Sequence, residues 1–227
     1  MGGGPIEFFY LRDDTPDLHR RAEAAHLIDN MEKPASSAHP IHEVLTRRWS
    51  PRAFDPRPVP HKVLSSIFEA ARWAASSMNE QPWTYIVGVR DEDPDQFERL
   101  ADTLFPGNAW ARNAPVLALS VAKKTFSANG QPNRVAIHDV GAASAGLVFQ
   151  AMTEGLFVHQ MGGFDAEKAR QTFHIPDGYE PVAMLALGYP GNPEKLDEKL
   201  KEREMKARTR KPIHEFVFRG MWGEKPF

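Results

Sequence analysis

The chain has 227 residues, 41% hydrophobic and 26% charged, enough for one sizeable domain with a real core. Lys and Arg number 28 against 30 Asp and Glu, and the formal net charge of -2 argues against a general nucleic-acid binder or a membrane-surface protein. There is no cysteine, so disulfides, thiolate catalysis and cysteine-ligated metal sites are excluded.

Met1-Gly2-Gly3-Gly4-Pro5 leads into charged sequence with no apolar signal-peptide core, and a cytoplasmic location is the expectation. Residues 1–38 read as an N-terminal extension. Within it the spacing predicts a helix over Asp17 to Lys33, followed by a Ser-, Ala- and Pro-rich linker from Pro34 to Pro40. A compact domain is expected over 39–227. Pro60 to Ala75 repeats apolar residues at i, i+3, i+4 and i+7 and predicts an amphipathic helix. Strands are expected over Trp83 to Val89 and Ala114 to Ala122. Asn133 to Gly155 reads as a long helix. Its second half, Val140 to Met152, is apolar or small on every face, which predicts burial all round and suggests a subunit interface. That stretch is also too short and too interrupted to span a bilayer. Leu156 to His159 and Pro181 to Leu187 predict two further strands, a helix starts near Asp165, and Glu194 to Lys206 reads as a charged, exposed helix.

Arg47-Arg48-Trp49-Ser50-Pro51-Arg52-Ala53-Phe54 places three arginines and a hydroxyl within six residues. Arginine holds a phosphate by paired, charge-assisted hydrogen bonds, so the cluster suits an anion cradle. It equally suits a helix ending in basic residues against the negative end of its dipole. A second cluster, Arg208-Thr209-Arg210-Lys211-Pro212, could converge with the first on one dianion. Ser76-Ser77-Met78-Asn79-Glu80-Gln81-Pro82-Trp83 reads as a capping turn whose amides also suit a heterocycle edge or a polyol. Gly162-Gly163 lies between a strand and a helix, where backbone can approach a ligand closely; an ordinary turn has the same composition. No GxGxxG or GxxxxGK sequence supports a dinucleotide fold or a P-loop. His39-Pro40-Ile41-His42-Glu43 lacks metal-site spacing, and His138-Asp139 reads as a satisfied buried histidine, with a polar pair beside a cofactor as the alternative.

Taken together and in order, Arg48–Phe54, Ala71–Trp83, Met161–Asp165 and Arg208–Pro212 resemble the FMN-dependent nitroreductase family over the span from about His42 to the C-terminus. The resemblance implies an α+β fold, a central mainly antiparallel sheet wrapped by helices, in a homodimer that exchanges segments to build two flavin sites. It implies FMN as cofactor and NADH or NADPH as electron donor. By this resemblance Arg48 and Ser50 match the phosphate and ribityl contacts, with Trp49 between them, and Arg52 faces the pyrimidine edge. Ser76 and Ser77 match a pair contributed by the partner subunit, followed by the polar positions Asn79 and Gln81. Asn108 matches a ring-edge contact. Met161 leads into Gly162 and Gly163, which match backbone donors to flavin N5 and O4, and Arg208 and Arg210 match a C-terminal phosphate clamp. The chemistry belongs to the flavin, so no protein nucleophile and no metal is expected. The function implied is ping-pong transfer of electrons from NAD(P)H to a small nitroaromatic, quinone or similar acceptor. Alternatives are a same-fold dehalogenase or flavin-degrading enzyme, or a non-catalytic flavin-binding protein.

Overall fold

A computed structural model describes residues 33–225. The helix expected over Asp17 to Lys33 lies outside the described residues but for its last position. Four strands form one sheet: β1 (Trp83–Val89), β2 (Val116–Lys123), β3 (Phe157–Met161) and β4 (Tyr179–Gly188). Their order is β1-β2-β4-β3, and every neighbouring pair is antiparallel. All four were legible as short β-branched or apolar runs, and β1 keeps the expected bounds.

The two central strands are buried on both faces, because helices cover each side. In β2, Leu117, Leu119 and Val121 point to one apolar cluster, and Val116 and Ala118 point to the other. The first cluster is closed by α3 (Pro94–Ala101), α5 (Ala166–Thr172) and the 3-10 segment Pro106–Asn113. The second is closed by α2 (His61–Arg72) and α4 (Ala136–Thr153). Asp93 and Asp165 cap α3 and α5 by accepting from the N–H groups of Gln96 (3.0 Å) and Lys168 (2.9 Å). A short α1 (Glu43–Arg47) precedes the arginine cluster, and α6 (Glu198–Met205) precedes the C-terminal arm.

Several elements differ from their sequence expectation. α2 stops at Arg72, and a 3-10 turn, Ser77–Asn79, follows it. The helix expected over Glu194 to Lys206 is divided: Pro193–Lys195 is a 3-10 turn, Leu196 is extended, and Asp197 restarts the chain as the N-cap of α6. α6 is not wholly exposed, since Glu204 is buried to 1% accessibility. α4 is not buried all round either. Ala136, Val140, Ala143, Leu147 and Ala151 face the core, while Ile137, Gly141 and Phe149 lie on the open side. α1, α3 and the 106–113 segment have no counterpart among the elements expected from the sequence. No helix among the described residues is long and apolar enough to cross a membrane.

Candidate functional site

The arginine-rich segment leaves α1 as an extended loop that runs along the exit of β4. Asp55 N–H donates to the Tyr189 carbonyl (2.9 Å) and Gly191 N–H to the Ala53 carbonyl (2.9 Å). Within this loop Arg48 Nη1 donates to Ser50 Oγ at 3.1 Å. Trp49 turns the other way. Its indole is buried against Met152 and edge-on to Phe157, so its side chain serves the core.

The peptide units after Ser50 are gripped from two sides. His159 Nδ1, on β3, lies 2.8 Å from the Pro51 carbonyl. Glu204, on α6, accepts the Arg52 N–H at 2.9 and 3.0 Å and the Ala53 N–H at 3.1 Å. The Arg52 guanidinium lies 3.7 Å from the same carboxylate and 5.8 Å from the Trp110 ring centroid. Trp110 in turn stands 4.6 Å from the His159 ring. Burial pushes His159 down to about 4 against the pull of its Pro51 contact, and the cations of Arg52 and Arg48 lower it further. The ring is therefore neutral at pH 7, with Nδ1–H donating to the carbonyl.

The second arginine cluster does reach the first. Arg208 Nη1 donates to the carbonyls of Lys33 and Thr46, both at 2.7 Å. Arg48, Arg208 and Arg210 line one cavity of about 560 Å³ with Ala35–His39 and Leu45. Burial, then Arg208 and Arg210, lower the pKa of Arg48; burial and then Arg210 lower that of Arg208. None of the three has a carboxylate partner among the described residues, and the buried Arg208 Nε has no acceptor. Three like charges thus converge on one cavity and repel one another.

β3 ends at Met161, whose side chain is buried in the core, and delivers Gly162 and Gly163 to the surface. Asn108 Nδ2 donates to the Gly163 carbonyl at 2.9 Å. A Cβ on Gly163 would meet that nitrogen at 2.5 Å, so a larger residue there would push the Asn108 amide aside. At Gly162 nothing lies within 4 Å of a Cβ position, and the space beside its backbone is open.

The Ser76–Gln81 turn lies apart. Ser76 Oγ accepts the Gln81 N–H at 3.0 Å, and Ser77 N–H donates to the buried Asp139 carboxylate at 3.0 Å. Glu80 anchors the turn to Lys123 and to Ser127. Met78, Asn79 and Gln81 are held at φ of 55°, 54° and 53°, a region costly for side-chain-bearing residues. Met78 is 87% exposed and Trp73, just before the turn, 75%. The partners of this turn share no member with those of Arg48, Arg52 or Arg208.

One correction concerns the His138-Asp139 pair. His138 is exposed, and it is Asp139 beside it that is buried. His42 caps α1 by accepting the Val44 N–H. Among the described residues no group of three or more His, Cys, Asp or Glu could hold a metal. Glu204 and His159 were missed by the sequence reading. One signal was present for Glu204: it lies one turn after Leu200, so a carboxylate occupies the core-facing phase of α6. Asp139 shows the same sign, at the inward phase of α4 beside Ala136 and Ala143.

The sequence profile of the nitroreductase family matches residues 45–109 and 88–189. An uncharacterized 15.4 kDa protein from the ask 5' region of Mycolicibacterium smegmatis is 37% identical over 145 residues, 61% of this chain and 97% of that protein. An NADH dehydrogenase of Thermus thermophilus is 30% identical over 175 residues, 63% of this chain and 83% of that protein. A solved structure described as an oxidoreductase containing FMN superposes with a TM-score of 0.79 at 34% identity, covering 84% of this chain and 96% of that one.

Proposed function

The chain belongs to the nitroreductase family, and we propose that it is an FMN-dependent oxidoreductase passing electrons from NADH or NADPH to a small nitroaromatic, quinone or similar acceptor. The observation that carries this reading is the cavity of Arg48, Arg208 and Arg210. Among the described residues its cations have no carboxylate partner, and the buried Arg208 Nε has no acceptor. A phosphate monoester offers both the charge and the oxygens. The donor set therefore fits FMN, whose phosphate would lie among Arg48, Ser50, Arg208 and Arg210.

Bound FMN would supply two-electron chemistry at N5. The residues of the chain bind and orient. Arg52 presents a fixed cation for the pyrimidine edge, where it would stabilise negative charge. Asn108 fixes the Gly163 carbonyl, and the open backbone at Gly162 leaves an N–H for a ring acceptor. Donor and acceptor would use one open face in turn, which gives ping-pong kinetics.

The reading includes a homodimer. Ser76, Ser77, Asn79 and Gln81 share no partner with the arginine cavity, so they would complete the site of a second protomer. The open side of α4 and the exposed Trp73 and Met78 supply apolar surface for that association. It also takes 1–38 as an N-terminal extension, whose last residues Ala35–Ala38 line the cavity of the FMN-binding domain at 39–227.

The purified protein should be yellow, and the flavin it releases on denaturation should chromatograph as FMN. Anaerobic NADH or NADPH should bleach it, and a nitroaromatic or quinone should restore the colour. A protein that neither carries nor takes up flavin would defeat the reading.

A further inference from the structure

We propose that Glu204 is the positioning residue of the phosphate cradle, locking the loop of Arg48, Ser50 and Arg52 to the C-terminal arm of Arg208 and Arg210. The proposal rests on the flavin reading above.

A carboxylate 1% exposed is costly unless its oxygens are fully used. Those of Glu204 are used on the backbone of residues about 150 positions earlier. Oε1 accepts from Arg52 N–H (2.9 Å) and Ala53 N–H (3.1 Å), and Oε2 accepts from Arg52 N–H (3.0 Å) with the Arg52 guanidinium 3.7 Å away. His159 holds the Pro51 carbonyl from β3. The backbone between Ser50 and Phe54 is thus fixed on its carbonyl side by β3 and on its N–H side by α6. A leucine at this inward phase of α6 would fill the same space, but it would accept nothing.

The same residue fixes the arm. The Glu204 carbonyl accepts from Lys33 Nζ, and four residues later Arg208 donates to the carbonyls of Lys33 and Thr46. Thr46 lies two residues before Arg48. The links close a circuit: Glu204 to Arg52 along one side, Glu204 through Lys33 and Arg208 to Thr46 along the other. Arg208 is itself one of the links, Arg48 and Arg210 line the same cavity, and the mutual repulsion of the three would otherwise drive them apart. The circuit keeps three like charges converged before any anion arrives, which is preorganisation of the cradle.

FMN and riboflavin differ only in the phosphate, so their affinity ratio isolates the cradle from the ring site and from general stability. Dissociation constants for both are measured by fluorescence quenching on apo-protein of wild type, Glu204→Gln, Glu204→Asp and Arg48→Ala. Glutamine keeps the shape but turns a donor toward the Arg52 N–H. We expect wild type to prefer FMN, and Glu204→Gln to lower that preference at least tenfold through loss of FMN affinity. Glu204→Asp, which retains charge and both oxygens on a shorter stem, should fall between the two. Equal weakening of both flavins at constant ratio, or no weakening, would show that Glu204 serves the fold alone and overturn the proposal. If Glu204→Gln does not fold, Glu204→Asp decides: a wild-type ratio overturns the proposal. A wild type and Arg48→Ala that bind both flavins with equal, unchanged affinity would instead overturn the phosphate reading itself.

Discussion

Arg208 shows how a residue in a basic tail acquires a role from its neighbours. Its Nη1 is already committed to two carbonyls, and its Nε is buried without an acceptor. Each arginine–phosphate hydrogen bond is worth about 1.5–3 kcal/mol. Replacing Arg208 and Arg210 together by alanine should weaken FMN binding on the order of a hundredfold, and equal dissociation constants would show that the arm is a solvated tail. Arg208→Lys should cost less than Arg208→Ala, because charge is kept while the forked geometry is lost. His159 makes a second residue-scale prediction. Its pKa is depressed to about 4 in the folded chain, below the ordinary histidine value near 6.5, so the unfolded state binds the extra proton between these values. Stability contributed by the neutral ring is present above pH ~6.5 and is lost as pH falls toward 4, of order 3 kcal/mol at most. Chemical denaturation across that window should show the loss, and His159→Gln, which keeps a donor for Pro51, should flatten it. An unchanged acid limb in that variant would place the loss elsewhere.

At the scale of elements, α4 carries two jobs on opposite sides. Its inner face crosses α2 closely: a Cβ at Gly146 would lie 3.0 Å from the Ala70 carbonyl oxygen. Gly146→Val should therefore overpack the crossing and destabilise the protein by about 1–3 kcal/mol, read as a lowered denaturation midpoint. Its outer side, with Ile137 at 56% exposure and Phe149 beyond it, is where the proposed dimer would form. Ile137→Asp should leave the protomer folded, since that side chain already faces outward, yet shift light-scattering mass to the monomer and reduce FMN retention. A variant that stays dimeric and flavin-loaded would remove α4 from the interface.

At the scale of the whole molecule, the first described residues meet the C-terminal arm. Ala35 N–H donates to the Thr46 carbonyl at 2.8 Å, and Ala35–His39 wall the arginine cavity opposite Arg208–Pro212. A segment that composition marks as a linker thus serves as a wall of the site. Comparing truncations before Lys33 and before Pro40 isolates it. The longer truncation should weaken FMN binding several-fold beyond the shorter one, and equal affinities would make 33–39 a passive connection.

The sequence by itself determined the local elements and the chemistry of the candidate site. Apolar alternation located β1, and apolar runs located β2 and β4 to within a few residues. Helical periodicity found α2 and α4, and the ordered arginine, amide and glycine segments pointed to the family. Those signals are local, and a side-chain period can be read without knowing its partner. Tertiary structure decided which signals belong together. It brought Arg48 to Arg208, turned Trp49 into the core, buried Asp139 instead of His138, and opened one side of α4. It also gave Glu204 its meaning. In sequence Glu204 is one charge among many on a helix that reads as exposed, because charge composition records solubility and not contact. Only the fold shows two backbone N–H groups waiting for it some 150 residues away, since a hydrogen bond between distant segments leaves no period in either.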